Sequence, residues 1–392
     1  MRVLLLVCDS FGVGEAPDAE SYGDTGANTI GNTARAVGGL RAPNLADLGM
    51  GLLTDAPGIE PRAAEGTAHG KMRERSAGKD TTTGHWEIAG LIVERPFPTY
   101  PEGFPREVIE PFERAIGRPV LGNRPASGTE IIAELGEEHL RTGNPIVYTS
   151  GDSVFQIASH KDVVPLDRLY EWCRTARGIL DGEHRVGRVI ARPFVGDPGA
   201  FTRTHERRDF SVEPLDTTYL DLIESSGVPV YGVGKIPDIF AGHGLTLSEH
   251  TESNMHGVDL TIEYLKGGDE LVVVTNLVDF DTKYGHRSDP PGYARCVEEF
   301  DPRIPDLLEA VGEDGLLFLT GDHGCDPTDR STDHTREHTP VLVGGGALGG
   351  RDPVDLGVRD TFADLGATVA DLFDVEPKGQ AGTSFTGELG LR

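Results

Sequence analysis

Carboxylates and imidazoles gather at two places late in the chain, Gly321-Asp322-His323-Gly324 and, shortly after, Asp333-His334-Thr335-Arg336-Glu337-His338-Thr339-Pro340. Such donors in one loop make a metal site, and one for zinc, manganese or iron rather than calcium, which prefers all-oxygen shells. Two more segments offer the same donors: Asp9 after an apolar run, and Asp279-Phe280-Asp281 with His286 after another. Asp9, Asp279 or Asp281, His286, Asp322, His323 and His334 or His338 are too many ligands for one tetrahedral ion. They fit two ions sharing a site, typically ~3.5–4 Å apart. Singly, each has a plainer explanation, an aspartate after a strand being often a helix N-cap and a lone histidine a surface or satisfied core residue; the convergence carries the inference. Asp281, nearer His286 and beyond the strand proper, is preferred to Asp279.

A second constellation is Ala77-Gly78-Lys79-Asp80-Thr81-Thr82-Thr83-Gly84-His85-Trp86-Glu87, a loop running into a helix. A helix N-terminus offers free N–H groups and a favourable dipole to a phosphate or a phosphorylated residue. From this segment alone Thr81 reads as an N-cap, because a threonine hydroxyl is a poor nucleophile until a metal or base lowers its pKa. The metal ligands elsewhere give Thr81 its chemical interest. Gly12 and Gly14 lack the third glycine and acidic partner of a dinucleotide fingerprint, and Gly78-Lys79-Asp80-Thr81 lacks the earlier glycine of a P-loop.

These residues need a scaffold that brings distant segments to one edge. Arg2 to Cys8, Val228 to Val233, Leu271 to Val278, Leu316 to Thr320 and Val341 to Val343 read as buried strands separated by stretches long enough for helices. The fold class expected is α/β, a layered and mostly parallel sheet with helices on both faces. Ligands would then lie at the carboxyl ends of strands, where active sites of open α/β sheets gather. Between these runs the texture changes, with many Pro and Gly residues around 96–125 and strands at Ile146 to Thr149 and Val186 to Ala191. This predicts an inserted α+β domain over 97–215, with the core formed by 1–96 and 216–392.

A formal charge of −28 excludes a phosphate-backbone binder, so no nucleic acid is expected. No apolar run approaches the ~20 residues that span a bilayer, and no leader pattern precedes the first strand, so a cytoplasmic protein without a membrane contact is expected. Four scattered cysteines show no Cys-x-x-Cys pair and read as reduced.

With these residues in view, the chain closely resembles the phosphopentomutase family, manganese-dependent members of the alkaline phosphatase superfamily. The most specific stretches are Asp9-Ser10-Phe11-Gly12-Val13-Gly14-Glu15-Ala16-Pro17-Asp18, Gly78 to Glu87, Asn276-Leu277-Val278-Asp279-Phe280-Asp281 and Asp333-His334-Thr335-Arg336-Glu337. The resemblance implies an alkaline phosphatase-like core with an inserted cap, and Thr81 as a phosphorylated nucleophile between two Mn2+ ions. Asp9, Asp322 and His323 would hold one ion with Thr81; Asp281, His286 and His334 would hold the other, leaving His338 nearby without being a ligand. Ser150, Asp152 and Arg188 in the insertion and Lys235 in the core would contact the sugar phosphate. The plain alternative for Arg188 is a surface salt bridge. At Arg203-Thr204-His205-Glu206-Arg207-Arg208 the family pattern ends in a histidine where this chain has Arg207-Arg208. The resemblance further implies a monomer that interconverts pentose 1- and 5-phosphates, with ribose 1,5-bisphosphate or a similar bisphosphate as activator. A metal-dependent phosphatase or a phosphoglycerate mutase-like enzyme is the alternative on the same metal scaffold.

Overall fold

The apolar run Arg2–Cys8 forms strand β1 of the computed structural model, in which residues 1–150 and 153–391 are described. The other strands of its sheet are β2 (Thr67–Met72), β3 (Val230–Val233), β4 (Leu247–Glu249), β5 (Leu271–Leu277), β6 (Leu316–Thr320), β7 (Thr339–Gly344) and β8 (Val354–Arg359). They lie in the order β4-β3-β5-β1-β6-β7-β2-β8. Every neighbouring pair is parallel except those made by β7, which runs antiparallel to β6 and β2.

The central strands are apolar without alternation because both faces are covered. Helices of the same unit include α1 (Thr29–Val37), α2 (Thr81–Ile88), α3 (Tyr219–Ser225), α4 (Asn254–Lys266), α5 (Pro290–Phe300), α6 (Ile304–Val311) and α7 (Ala363–Leu372). Leu4, Leu6, Val273, Leu317 and Leu319 share a core with Ile30, Val258, Val297 and Leu307 from α1, α4, α5 and α6. The alternate residues Leu5, Val7 and Val274 lie against Ile88, Leu220, Ile223 and Val369 from α2, α3 and α7. Each fully buried Leu or Val of this kind contributes ~1.5–3 kcal/mol.

The topology decides where chemistry can occur. β5, β1 and β6 are adjacent and parallel, so the segments bearing Asp281, Asp9 and Asp322 leave the sheet side by side. Because β7 runs the other way, the connection from Gly321 to His338 starts and finishes at that same edge. β2 ends there as well, Met72 pairing with Thr339, and leads into the loop before α2.

The chain divides into two compact units, Met1–Arg95 with Pro214–Arg392, and Pro96–Glu213. The second unit has strands Leu121–Pro125, Ile146–Thr149, Val154–His160, Arg188–Val195 and Thr202–Arg203 in that order, with Arg208–Ser211 also on Arg188–Val195. Helices Arg106–Ile116 and Leu166–Ile179 pack on one face around Phe112, Phe155, Trp172 and Val189, and Gly128–Thr142 packs on the other around Ile131, Tyr148 and Phe194. The strand expected at Val186 to Ala191 begins two residues later and runs to Val195. No helix among the described residues is long and apolar enough to cross a membrane.

Candidate metal centre

Asp9 stands one residue beyond β1, and the chain turns at once: Ser10 adopts φ of 73°, a left-handed conformation that costs a non-glycine residue energy and clusters at functional sites. The turn aims the buried Ser10 N–H at Asp322 Oδ1, 3.1 Å away. Asp322 and His323 follow β6, and both are buried. Asp281 lies on a single π-helical turn, Phe280–Tyr284, after β5, with His286 just beyond.

Three nitrogens and three carboxylates converge. Around His323 Nε2 stand Thr81 Oγ1 at 3.2 Å, Asp9 Oδ1 at 3.3 Å and Asp322 Oδ2 at 3.4 Å. Around Asp281, Oδ2 lies 3.2 Å from His286 Nε2 and Oδ1 lies 3.6 Å from His334 Nε2, while the two imidazole nitrogens are 3.1 Å apart. Asp9, Asp281 and His323 form one close donor group and Asp281, His286 and His334 another, so Asp281 belongs to both. The expectation placed Asp281 on one ion alone and Asp322 with Asp9 and His323; Asp322 meets that group through its contact with His323.

These donors fit a pair of cations. Ligands at ~2.0–2.2 Å from an ion stand roughly 2.8–3.6 Å from one another in octahedral or tetrahedral shells, a span that covers the separations here. His286, His323 and His334 each turn Nδ1 to a backbone carbonyl, of Thr332 (2.6 Å), Gly324 (3.0 Å) and Lys79 (2.9 Å). This makes Nδ1 the N–H and leaves the Nε2 lone pair facing inward, the arrangement typical of metal-bound histidine. Two such lone pairs at 3.1 Å repel without positive charge between them. Asp9 Oδ1, Asp281 Oδ1 and Asp322 Oδ2 are buried without hydrogen-bond partners, an arrangement costly unless a cation meets them.

The metal-free electrostatics agree. Burial pulls the His323 pKa down, but Asp322 and Asp9 raise it well above 6.5. Burial likewise opposes the charge of His286, yet Asp281 brings it to about 9. Asp281 and Asp322 are disfavoured as anions by burial and are held low by the histidines, Asp322 at about 2. The site thus demands positive charge, which protons supply when no metal does.

Thr81 is not the cap of its helix. Asp80 takes that role, Oδ1 accepting from the Thr82 and Thr83 N–H groups at 3.0 and 3.1 Å, so Thr81 is the first helical residue and its hydroxyl turns to His323. Gly84 lets α2 come this close: a Cβ there would stand 2.1 Å from the Asp322 carbonyl oxygen. Of the open alternatives, Asp279 bonds the Asn254 N–H and pairs with Lys283, and His338 bonds the Glu15 carbonyl, both away from the cluster. Cys8 and Cys325 are buried and their pKa values are raised, mainly by burial, which disfavours the thiolate a soft ligand needs.

The expected substrate contacts belong to both units. Ser150 directly follows the strand Ile146–Thr149, and Arg188 begins the strand Arg188–Val195, its Nη1 3.5 Å from Asp209. Asp152 lies outside the described residues. Lys235 precedes the short helix Ile236–Ile239 beyond β3.

Sequence reasoning missed Arg336. Its guanidinium, 2% exposed, bonds Glu74 Oε2 (2.7 Å), Asp18 Oδ2 (3.1 Å) and the carbonyls of Ser76 (2.8 Å) and Gly78 (2.9 Å), clamping the loop before Thr81 to the loop that bears His334. It also missed Asn276, which donates to Asp9 Oδ2 at 3.2 Å and leaves Oδ1 for the cluster.

A family model described as Metalloenzyme superfamily matches residues 1–377. The phosphopentomutase of Thermotoga petrophila is 58% identical over 388 residues, covering 98% of this chain and 98% of the relative. That of Anaeromyxobacter dehalogenans is 56% identical over 389 residues, covering 99% of each. Among solved structures, a phosphoglycerate mutase of Leishmania mexicana, studied at low cobalt concentration, is similar with a TM-score of 0.51 over 97% of each chain at 14% identity, a likeness of fold alone.

Proposed function

The chain belongs to the phosphopentomutase family of the metalloenzyme superfamily, an isomerase-class phosphomutase with an alkaline phosphatase-like core, and on that premise we propose how its residues work. The reaction we assign is the interconversion of ribose 1-phosphate, or its 2-deoxy analogue, with the 5-phosphate, through a phosphorylated Thr81 and a 1,5-bisphosphate.

Asp9, Asp322 and His323 would hold one divalent ion beside Thr81, and Asp281, His286 and His334 the other, Mn2+ suiting this mixture of carboxylate and imidazole. When bound, two such ions supply positive charge that offsets the phosphoryl oxygens and favours the ionised threonine oxygen. The observation that carries the reading is the hydroxyl of Thr81, a buried residue, uninvolved in capping and 3.2 Å from His323 Nε2.

In the forward step the bond between Thr81 Oγ1 and phosphorus breaks, and one forms to the C1 hydroxyl oxygen of the 5-phosphate. The hydroxyl proton ends on Thr81 Oγ1, so the products are free threonine and the bisphosphate. The bisphosphate turns, the bond between its C5 oxygen and phosphorus breaks as one forms to Thr81 Oγ1, the threonine proton ends on the C5 oxygen, and the 1-phosphate leaves. Ser150, Asp152, Arg188 and Lys235 are assigned to the sugar and its distal phosphate. A phosphothreonine open to water would hydrolyse, so water must be kept from Thr81 while the intermediate turns. The reading includes a bisphosphate activator, a monomer and a cytoplasmic location.

The test is to incubate Mn2+-loaded protein with ribose 5-phosphate and a trace of ribose 1,5-bisphosphate and to follow phosphorus resonances. Ribose 1-phosphate should accumulate to equilibrium. Inorganic phosphate appearing without it would make the protein a phosphatase.

A further inference from the structure

The mechanism above leaves one buried histidine of the centre unused. His85 follows Thr81 by one turn of α2, with Nδ1 2.9 Å from the Thr81 carbonyl oxygen, which makes Nδ1 the N–H. Its Nε2 then carries the lone pair and accepts from Asn276 Nδ2 at 3.3 Å. The same amide nitrogen donates its other hydrogen to Asp9 Oδ2 at 3.2 Å. A flipped Asn276 amide would set oxygen against oxygen there, so Asp9 fixes the amide and the amide fixes the imidazole tautomer. His85 Nδ1 also lies 3.1 Å from Asp322 Oδ2.

We propose that His85 and Asn276 form a positioning pair that decides which oxygens of Asp9 and Asp322 face Thr81 and His323. The inference rests on the reading of Thr81 as nucleophile beside a cation. Asp9 commits Oδ2 to Asn276 and keeps Oδ1 for the cluster; Asp322 commits Oδ1 to the Ser10 N–H and keeps Oδ2 within reach of both His85 and His323. Like His286, His323 and His334, His85 turns Nδ1 to a backbone carbonyl, but its Nε2 is already occupied by an amide of the chain. It is therefore a partner of ligands and not a ligand. Through Thr81 and its carbonyl, the pair ties the start of α2 to the carboxylates from two strands.

The experiment compares His85→Leu, His85→Asn and His85→Gln in the full chain, by titrating Mn2+ into metal-free protein and by steady-state mutase kinetics. Leucine removes both polar atoms, asparagine restores a donor at the Nδ1 position, and glutamine restores an acceptor at the Nε2 position. His85→Leu should weaken Mn2+ at one of two sites by about 10–100-fold and leave the other unchanged. It should lower kcat while KM for the pentose phosphate stays within about twofold. Asparagine and glutamine should each recover part of the lost affinity. The pair is overturned if His85→Leu binds both ions as the parent does, or if the asparagine and glutamine variants are no better than leucine, which would leave only a packing role. Should His85→Leu not fold, Asn276→Leu keeps the ring and removes the amide link; parental Mn2+ affinity there overturns the proposal equally. Thr81→Ala separates the two readings. Its retained turnover would remove the nucleophile, while the Mn2+ titrations would still decide the pair.

Discussion

At the scale of single residues, the proposed chemistry would depend on one hydroxyl and on a histidine whose proton a metal would displace. Thr81→Ala should lower mutase turnover on the order of 10⁴-fold or more, as loss of a nucleophile does. Intact mass after treatment with ribose 1,5-bisphosphate should show an adduct of about 80 Da on the parent and none on the variant; an adduct on both would place the phosphoryl group elsewhere. His286 gives a pH prediction of definite sign. Asp281 raises its pKa to about 9 against burial, from an ordinary 6.5. In metal-free protein its stabilising interaction is complete below 6.5 and is lost as pH rises through 9. If His286 is a ligand as proposed, Mn2+ would have to displace that proton, so metal affinity should climb between those pH values, with proton release in a weakly buffered titration. Affinity independent of pH across that window would show that His286 is not displaced from its proton and is no ligand.

At the scale of elements, Arg336 joins the loop that follows β2 to the loop that precedes β7, beyond the point where the two strands pair. Replacing it by methionine leaves Glu74 buried without its partner and should cost about 3–5 kcal/mol in a denaturant titration. Arg336→Met with Glu74→Leu should recover part of that loss; an additive pair would show that the two side chains do not depend on each other. This clamp was illegible because a buried arginine meeting carbonyls of another loop leaves no periodic trace in a sequence. The strands were legible: Leu316–Thr320 and Ile146–Thr149 fall where their apolar composition put them, since burial on both faces dictates it. The direction of β7 was not, because pairing direction depends on neighbours distant in sequence. Nor was the division of labour between Asp80 and Thr81, two adjacent residues of types that both serve as N-caps. His85 was half legible, standing four residues after Thr81 on the same helical face.

At the scale of the whole molecule, 64 acidic against 36 basic residues set the charge at −28. Self-repulsion of that size works against the compact state and is screened by salt, the Debye length falling from ~10 Å at 0.1 M to ~3 Å at 1 M. The melting temperature of Mn2+-loaded protein should rise across that interval of KCl, and a flat or falling trend would show that the acidic groups do not strain the fold. The unit Pro96–Glu213, with its own sheet and its own apolar cores, should unfold cooperatively when expressed alone; a non-cooperative melt would show that it lacks a self-sufficient core. One further consequence follows from the reversed strand β7. It lies between β6, which leads to Asp322 and His323, and β2, which leads to Thr81, and its own approach bears His334. Seating that one strand therefore closes several long chain loops at a single moment, so the ability to capture Mn2+ should appear during refolding in one late kinetic phase and not in stages.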